Sequence, residues 1–223
     1  MRIEELGEFG LIERIRKGLV HKDSRVIVGV GDDCCGIELG PNRVVLATTD
    51  SFVEGVHFDL SYFSYYQVGF RALSSSLSDI AAMAGVPICA LISLFLPKGS
   101  DVELVDEIYR GMKEVADSFW VSIVGGDTVR SPHLSLTVTV IGEVEKPRLT
   151  LRSGARPGDS ICVTGSLGRA EAGLLALRNS LQVDEKIYSG HLYPVPRIEE
   201  ARLLLESSRV HSMIDLSDGL AQD

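Results

Sequence analysis

Over residues 44–58 the chain reads VVLATTDSFVEGVHF. The run of apolar and β-branched residues at 44–48 predicts a short buried strand, and this strand leads directly into Asp50. A second run of this kind, residues 26–30, leads into a pair of adjacent aspartates. Carboxylates that recur at the ends of strands indicate a fold in which the strands deliver acidic side chains to a shared site.

Helical and strand patterns alternate around this stretch. Near the N-terminus, apolar residues recur at helical spacing and predict an amphipathic helix that includes Phe9, Ile12, Ile15 and Leu19. Residues 134–140 alternate apolar side chains with Ser and Thr, which predicts a half-exposed antiparallel strand. The remaining patterns predict helices at 67–84, 102–118, 169–178 and 197–207, and strands at 88–96, 120–124, 160–164 and 210–214.

A break in these patterns divides the chain. Residues 145–147 (EKP) are polar, and residues 152–159 (RSGARPGD) have the composition of turns. The mixture of strands and helices predicts an α/β or α+β class, with an N-terminal domain at 1–146 and a C-terminal domain at 147–223. About 75 residues make a thin domain, so we expect the sequence to be a fragment or to lack its C-terminal part.

Composition argues against several classes of protein. The 223 residues carry a formal net charge of −9, so a general basic footprint for nucleic acid is absent. The N-terminal sequence lacks the continuous apolar segment of a signal peptide, and the longest apolar run, residues 86–96, is too short to span a bilayer. The four cysteines form no C-x-x-C pair, which argues against a zinc ribbon and a disulfide framework. We therefore expect a cytoplasmic protein without nucleic-acid or membrane partners.

Aspartates carry the chemistry that the sequence predicts. Magnesium prefers oxygen ligands and shares them with substrate phosphates, and phosphoryl transfer depends on positioning and on neutralising charge. Any one of these carboxylates could instead be a turn former or a helix cap. Their recurrence favours a magnesium-dependent enzyme that moves a phosphoryl group from ATP. The candidates are Asp32, Asp33, Asp50, Asp79, Asp127, Asp215 and Asp218.

Other polar groups accompany these aspartates. The hydroxyls of Thr48 and Thr49 would add oxygen ligands beside Asp50, although threonine is also simply common in strands. One role for His57 is a donor to a substrate phosphate, and a structural role is the commoner one for a lone histidine. The turn at 164–168 (TGSLG) enters a helix and could either cradle phosphate or pack closely.

Two common nucleotide motifs do not occur in the sequence. Residues 29–31 read GVG after a strand, but position 34 is Cys where the dinucleotide motif needs its third glycine. The phosphate-binding motif GxxxxGK[ST] is missing as well. The dinucleotide-binding interpretation of this turn is therefore rejected.

Seven motifs resemble, in sequence order, those of the thiamine-monophosphate kinases, which belong to the superfamily of aminoimidazole-ribonucleotide synthetase. The resemblance covers essentially the whole chain from Gly7 to Asp223, and the motifs together are highly specific. They are GDDCCGIE (31–38), TTDSFVEGVHF (48–58), SDIAAMAG (78–85), GGDTVRS (125–131), LRSGARPGD (151–159), TGSLGRAEAGL (164–174) and MIDLSDGLAQD (213–223).

The resemblance implies an activity and an architecture. The activity is ATP-dependent phosphorylation of thiamine monophosphate to thiamine diphosphate, by direct in-line transfer without a phosphoenzyme. The architecture is the two-domain fold of the superfamily, in which the N-terminal sheets of two chains pair in a homodimer. ATP and several magnesium ions would lie in the cleft.

The resemblance also implies roles for individual residues. Asp50, Asp127 and Asp218 would be catalytic, and His57 would contact the substrate. Asp32 would lie next to the metal ligands rather than among them. The implied metal ligands are Asp33, Thr48, Thr49, Asp50, Asp79, Asp127, Asp215 and Asp218, and the implied ATP contacts are Tyr109, Gly126, Asp127, Arg152 and Ser217.

One departure from the family pattern leaves alternatives open. A GGEDYE-like motif, which follows MIDLSDGL in the family and helps to hold thiamine, is not present in these 223 residues. The chain could be another ATP-using enzyme of the superfamily, or an inactive nucleotide-binding dimer module if it naturally ends at Asp223. Selenophosphate synthesis fits poorly, because it needs a reactive Cys in a glycine-rich loop and Cys34 and Cys35 follow acids. Clustered aspartates argue against a decayed site, since unneeded carboxylates repel one another.

Overall fold

A six-stranded mixed sheet forms the centre of the protein in the computed structural model, which describes residues 3–19 and 22–223. The strand order is β1-β2-β3-β6-β4-β5, and every neighbouring pair is antiparallel except β4 and β5. The strands are β1 (Val26–Val28), β2 (Cys35–Glu38), β3 (Arg43–Val53), β4 (Val86–Leu96), β5 (Ser122–Arg130) and β6 (Ser135–Glu145).

In the residues that the structure describes, six α-helices accompany the sheet. The second of them begins at a capping box, in which the Ser64 side chain accepts from the Gln67 backbone and the Gln67 side chain accepts from the Ser64 backbone. The helices are α1 (Ile3–Gly18), α2 (Tyr65–Ala82), α3 (Val102–Ser118), α4 (Arg169–Arg178), α5 (Glu185–Leu192) and α6 (Ile198–Ser207).

The core lies between α2 and one face of the sheet. Alternate residues of β6, including Leu136, Val138 and Val140, are buried on this face, while the residues between them are only half-buried. The predicted half-exposed strand at 134–140 is therefore confirmed. On the opposite face the Thr49 hydroxyl bonds to a hydroxyl of β6, and Ser51 does the same two residues later. The sheet thus has one buried apolar face and one face of mixed polar and apolar side chains that is open in the single chain.

Helices α2 and α3 pack so closely that two glycines lie at their crossing. A Cβ added at Gly69 would stand 1.9 Å from the carbonyl oxygen of Ile108, and one added at Gly111 would stand 2.0 Å from that of Tyr66. Each helix therefore presses its backbone against the other, and only glycine fits at these two positions. The contact fixes where α2 lies over the sheet.

Several predicted elements differ from the observed ones. The predicted strands at 160–164 and 210–214 are not strands, because neither segment pairs with another strand in the part of the chain that the structure describes. The strand predicted at 120–124 is displaced to β5, which runs through the glycine pair 125–126 instead of ending there. Strand β2 and helix α5 were not predicted. The domain boundary at 146/147 stays a prediction.

The predicted N-terminal helix is present as α1, with a kink at Gly7. Ile12, Ile15 and Leu19 are exposed, and the side chain of Phe9 lies outside the described residues. Among the described residues, no helix is both long enough and apolar enough to cross a membrane.

Candidate metal and nucleotide site

Three carboxylates from distant parts of the sequence meet beside α2. Asp33 precedes β2, Asp79 lies in the last turn of α2, and Asp215 follows α6. One ligand atom from each residue lies within 4.8 Å of the other two. The structure therefore brings together three of the predicted metal ligands.

Strand β3 contributes two further candidates from the face that α2 covers. Because side chains alternate along a strand, Thr48 and Asp50 share a face with the buried residue Leu46. The Thr48 hydroxyl donates to Asp79. Ser76, one helical turn before Asp79 on α2, lies close enough to Asp50 to oppose the rise in the pKa of its carboxyl group. The strand and the helix thus hold their carboxylates side by side.

The pKa values of these carboxyl groups are raised. Burial, followed by the neighbouring charge of Asp50, raises the pKa of Asp79 to about 8. Burial also raises the pKa of Asp33 to about 6, although Arg152 opposes the shift. The pKa values of Asp50 and Asp215 are raised as well, mainly by burial. Burial therefore favours the neutral form of each of these neighbouring carboxyl groups.

A divalent cation fits this group of residues. The Oδ2 atom of Asp33 is buried without a hydrogen-bond partner in the described part of the chain, and such an atom is costly unless something binds it. The donors are carboxylate and hydroxyl oxygens, which magnesium prefers over the nitrogen and sulfur ligands typical of zinc. A bound cation would neutralise the mutual repulsion of the three carboxylates.

The raised pKa values predict how stability depends on pH. A carboxyl group whose pKa is raised on folding stabilises the folded state fully at low pH, and this contribution is lost as pH rises through the folded-state pKa. In a chelator, we expect the free energy of unfolding to fall between about pH 4 and pH 8, because the pKa values of Asp33 and Asp79 are about 6 and about 8. Magnesium, which competes with protons, should raise the melting temperature more at pH 8 than at pH 5. Equal shifts at the two pH values would contradict a site at these carboxylates.

Arg152, one of the predicted ATP contacts, lies beside this cluster. Its Nη2 atom donates to Asp33 Oδ1 at 2.6 Å, and its backbone N–H donates to Asp32 at 3.3 Å. The Asp33 side chain is 2% exposed, whereas that of Arg152 is 36% exposed. The guanidinium therefore lies at the opening of the cluster, where it could also reach a phosphate.

The other predicted ligands are farther from these carboxylates. The side chain of Thr49 lies on the opposite face of the sheet, where its hydroxyl bonds to Thr139. Asp127 is exposed in β5, and the strand register places it on the same outer face, through Ser93 and Thr137. Asp218 is exposed, and its backbone N–H donates to the Asp223 side chain. Metal binding by these three residues stays a prediction.

The predicted ATP contacts lie in different settings. Gly126 could not be another residue, because an added Cβ would stand 1.7 Å from the carbonyl oxygen of Ile92. Tyr109 is half-buried and packs against the hydrophobic core from α3. Ser217 is exposed, and its backbone N–H donates to Asp223. Contact of these residues with a nucleotide stays a prediction.

His57 is held with one nitrogen available. Its Nδ1 atom accepts from the backbone N–H of Val53 at 3.1 Å, so the neutral ring carries its proton on Nε2. The ring also stacks on Phe52, with 5.6 Å between the ring centroids. Phe52 follows Asp50 by two residues on the same face of β3. The exposed His57 ring, which stacks on Phe52, therefore stands next to the aspartate cluster.

One charged residue of this region was missed from the sequence. Arg71 lies on α2, eight residues before Asp79, and is mostly withdrawn from solvent. Its guanidinium lies over the ring of Phe52 at 5.8 Å. A single arginine within an otherwise apolar stretch of helix is the only sequence signal, and it does not reveal which side of the helix is buried.

The chain is similar in sequence to known proteins of one family. A family model described as "AIR synthase related protein, N-terminal domain" matches residues 31–144. The chain is 38% identical over 226 residues to thiamine-monophosphate kinase of Bacillus subtilis (strain 168), which covers 98% of this chain and 69% of the relative. It is 39% identical over 227 residues to thiamine-monophosphate kinase of Aquifex aeolicus (strain VF5), with 100% and 70% covered.

A solved structure extends the likeness to three dimensions. The structure described as "AaThiL complexed with AMPPCP and TMP" superimposes with a TM-score of 0.88 at 38% identity, over 100% of this chain and 69% of that one. The mixed sheet and its covering helices thus have the aminoimidazole-ribonucleotide synthetase-like fold, as predicted. With a family model over half of its length and relatives at this identity, the chain belongs to the thiamine-monophosphate kinase family.

Proposed function

We propose that this protein transfers the terminal phosphoryl group of ATP to the phosphate of thiamine monophosphate, which yields thiamine diphosphate and ADP. The observation that carries the proposal is the meeting of Asp33, Asp79 and Asp215 within 4.8 Å, with an oxygen of Asp33 left unpartnered among the described residues. The curated relatives are named thiamine-monophosphate kinase. A related structure is described as a complex with AMPPCP and TMP.

The residues of this chain would supply positioning and charge compensation. Asp33, Asp50, Asp79 and Asp215 would hold magnesium, together with the hydroxyl of Thr48. Bound magnesium would neutralise the phosphate charge that develops during transfer. His57 would donate from Nε2 to the acceptor phosphate, and Arg152 would contact the phosphates of ATP. The phosphoryl group would pass directly from ATP to the acceptor, because an acceptor phosphate oxygen held in line with it needs no covalent enzyme intermediate.

The remaining predicted residues belong to the same proposal. We assign further metal ligation to Thr49, Asp127 and Asp218. Catalysis would depend on Asp50, Asp127 and Asp218, whose carboxylates would take part in holding magnesium. The ATP contacts would be Tyr109, Gly126, Asp127, Arg152 and Ser217.

The test is chromatography of the products after the chain is mixed with magnesium, ATP and thiamine monophosphate. We expect thiamine diphosphate and ADP in equal amounts, and loss of both products in Asp50→Asn. The matched control is Asp117→Asn, which removes an exposed carboxylate from α3 and should leave activity unchanged. The proposal fails if neither this chain nor one extended at its C-terminus makes thiamine diphosphate.

A homodimer belongs to the proposal as well. The outer face of the sheet exposes apolar side chains on β4 and β5, namely Leu91 and Val129. Pairing of this face with a second copy would bury these side chains. Sedimentation tests the dimer, and a single species at the 24.2 kDa of one chain would contradict it. A cytoplasmic location is part of the proposal, and fractionation of cells tests it.

A further inference from the structure

Helix α2 lies between the sheet and the C-terminal segment, and it makes polar contacts with that segment at three levels. Gln67 donates to the Tyr193 hydroxyl at 2.9 Å, near the start of the helix. Arg71, one turn later, donates to the carbonyl oxygen of His191 at 2.8 Å. Asp79, in the last turn, meets Asp215. The proposed mechanism uses only the last of these levels.

The guanidinium of Arg71 is enclosed by uncharged groups. It lies 5.8 Å from the centroid of Phe52 and 5.9 Å from that of Phe63. Its Nη1 atom also contacts the His191 ring at 2.9 Å. No carboxylate forms a salt bridge with Arg71 among the described residues, and burial lowers the pKa of the guanidinium. Arg71 is thus a largely desolvated cation without a counter-charge.

The neighbours of Arg71 cannot supply that counter-charge. Burial, Arg71 and Arg178 lower the pKa of His191 to about 4, so this imidazole is neutral at physiological pH and accepts from Arg71 through its unprotonated nitrogen. A desolvated charge without an opposite charge is unfavourable. The Nε and Nη2 atoms of Arg71 have no hydrogen-bond partner among the described residues, and neither is fully sealed from solvent. Two donor positions therefore remain for an anion.

The position of Arg71 relates it to the proposed site. Eight residues separate it from Asp79 on the same helix, which corresponds to about 12 Å at 1.5 Å per residue. The Phe52 ring beneath Arg71 also supports the ring of His57. Arg71 therefore stands on the His57 side of the aspartate cluster, where the acceptor would lie.

We propose that Arg71 binds the phosphate group of the acceptor substrate, a phosphate monoester. The inference rests on the proposed function, in which the attacking group is itself a phosphate. Both reacting groups then carry negative charge, and cations held by the aspartates would compensate chiefly the nucleotide. A guanidinium at the acceptor end would reduce the repulsion between the two phosphates and orient the attacking oxygen through paired hydrogen bonds.

Binding of thiamine monophosphate and of thiamine, compared by calorimetry, tests the inference. The wild type should bind the phosphate ester at least about tenfold more tightly than thiamine, as expected for charge-assisted hydrogen bonds. Arg71→Gln should lower this ratio several-fold, with the His57 contact to the phosphate retained, and leave ATP affinity unchanged. The matched control, Arg178→Gln, removes an exposed cation near His191 and should retain the ratio. A wild-type ratio in folded Arg71→Gln would overturn the proposal.

Two further measurements keep the inference separate from folding and from the proposed function. If Arg71→Gln does not fold, Arg71→Lys replaces it; we expect a lower ratio than in the wild type because lysine lacks the planar fork, and an unchanged ratio overturns the proposal. If the wild type neither binds nor phosphorylates thiamine monophosphate, the proposed function fails, and inorganic phosphate becomes the probe. Phosphate should then raise the melting temperature of the wild type and of Arg178→Gln but not of the Arg71 variant, and equal shifts would overturn the site.

Discussion

Replacing Asp79 by asparagine should lower kcat/KM for phosphoryl transfer by at least about 100-fold, the scale expected when one positioned charge-stabilising group is lost. Asp79 lies within ligand distance of Asp33 and Asp215 and accepts the Thr48 hydrogen bond. Asparagine can still accept that bond but cannot supply a carboxylate charge to a cation. The measurement is steady-state kinetics of thiamine diphosphate formation, with Asp117→Asn as the control. A variant that keeps more than half of the wild-type rate would contradict the assignment.

The same substitution should stabilise the metal-free protein. The pKa of Asp79 is raised to about 8 by burial and by Asp50, so in the wild type the folded state resists ionisation that the unfolded chain permits. The stability gained by asparagine should therefore grow from about pH 4 to about pH 8 and stay constant above that. Unfolding in a chelator at several pH values measures it. Lower activity together with higher stability would identify Asp79 as a metal ligand, because replacing a residue that only supports the fold should lower both.

Alanine at Gly69 or Gly111 should cost about 3 kcal/mol or more of stability, at or above the upper range for overpacked cores. The new methyl group would stand about 2 Å from a carbonyl oxygen of the facing helix, and two packed backbones cannot yield as a flexible side chain can. In an exposed helix the same change would be favourable by about 1 kcal/mol, so the expected sign is diagnostic. Urea unfolding followed by circular dichroism measures the loss, with Lys113→Ala on the exposed side of α3 as the control. An unchanged or higher midpoint for Gly111→Ala would refute the close crossing.

The helices could be predicted better than the strands, for physical reasons. Helices α2, α3, α4 and α6 begin and end within about two residues of their predicted bounds, the usual scatter of helix ends, because their apolar faces repeat at local spacing. Strand β5 was misplaced because Gly125 and Gly126 suggested a turn. Gly126 is needed there for the close parallel approach of β4, and that approach depends on a partner 30 or more residues away in the sequence. Segments 160–164 and 210–214 have the composition of strands, yet composition cannot provide the partner strand.

The candidate site shows the same division. The convergence of Asp33, Asp79 and Asp215 was predicted, because carboxylates at element ends and matched motifs pointed to one place. The alternation of β3 separates Thr48 from Thr49, and the register places Asp127 on the outer face. Adjacent residues of the TTD motif thus lie on opposite sides of the sheet. Arg71 was missed because its significance depends on the lack of a carboxylate around it, which only the packing of α2 on α5 reveals.

Two polar sites along α2 have a consequence for evolution within this fold. Carboxylates that would handle the nucleotide stand at the C-terminal end of the helix, and the Arg71 guanidinium, which forms no salt bridge among the described residues, stands about two turns away. Substitutions near Arg71 could therefore alter which acceptor is chosen while the phosphoryl-donating end stays intact. An enzyme of this fold could therefore acquire a new acceptor substrate through a few substitutions in one helix, while the residues that would hold magnesium and ATP stay the same. Because Gly69 and Gly111 fix α2 against α3, both sites on α2 would keep their positions during such a change.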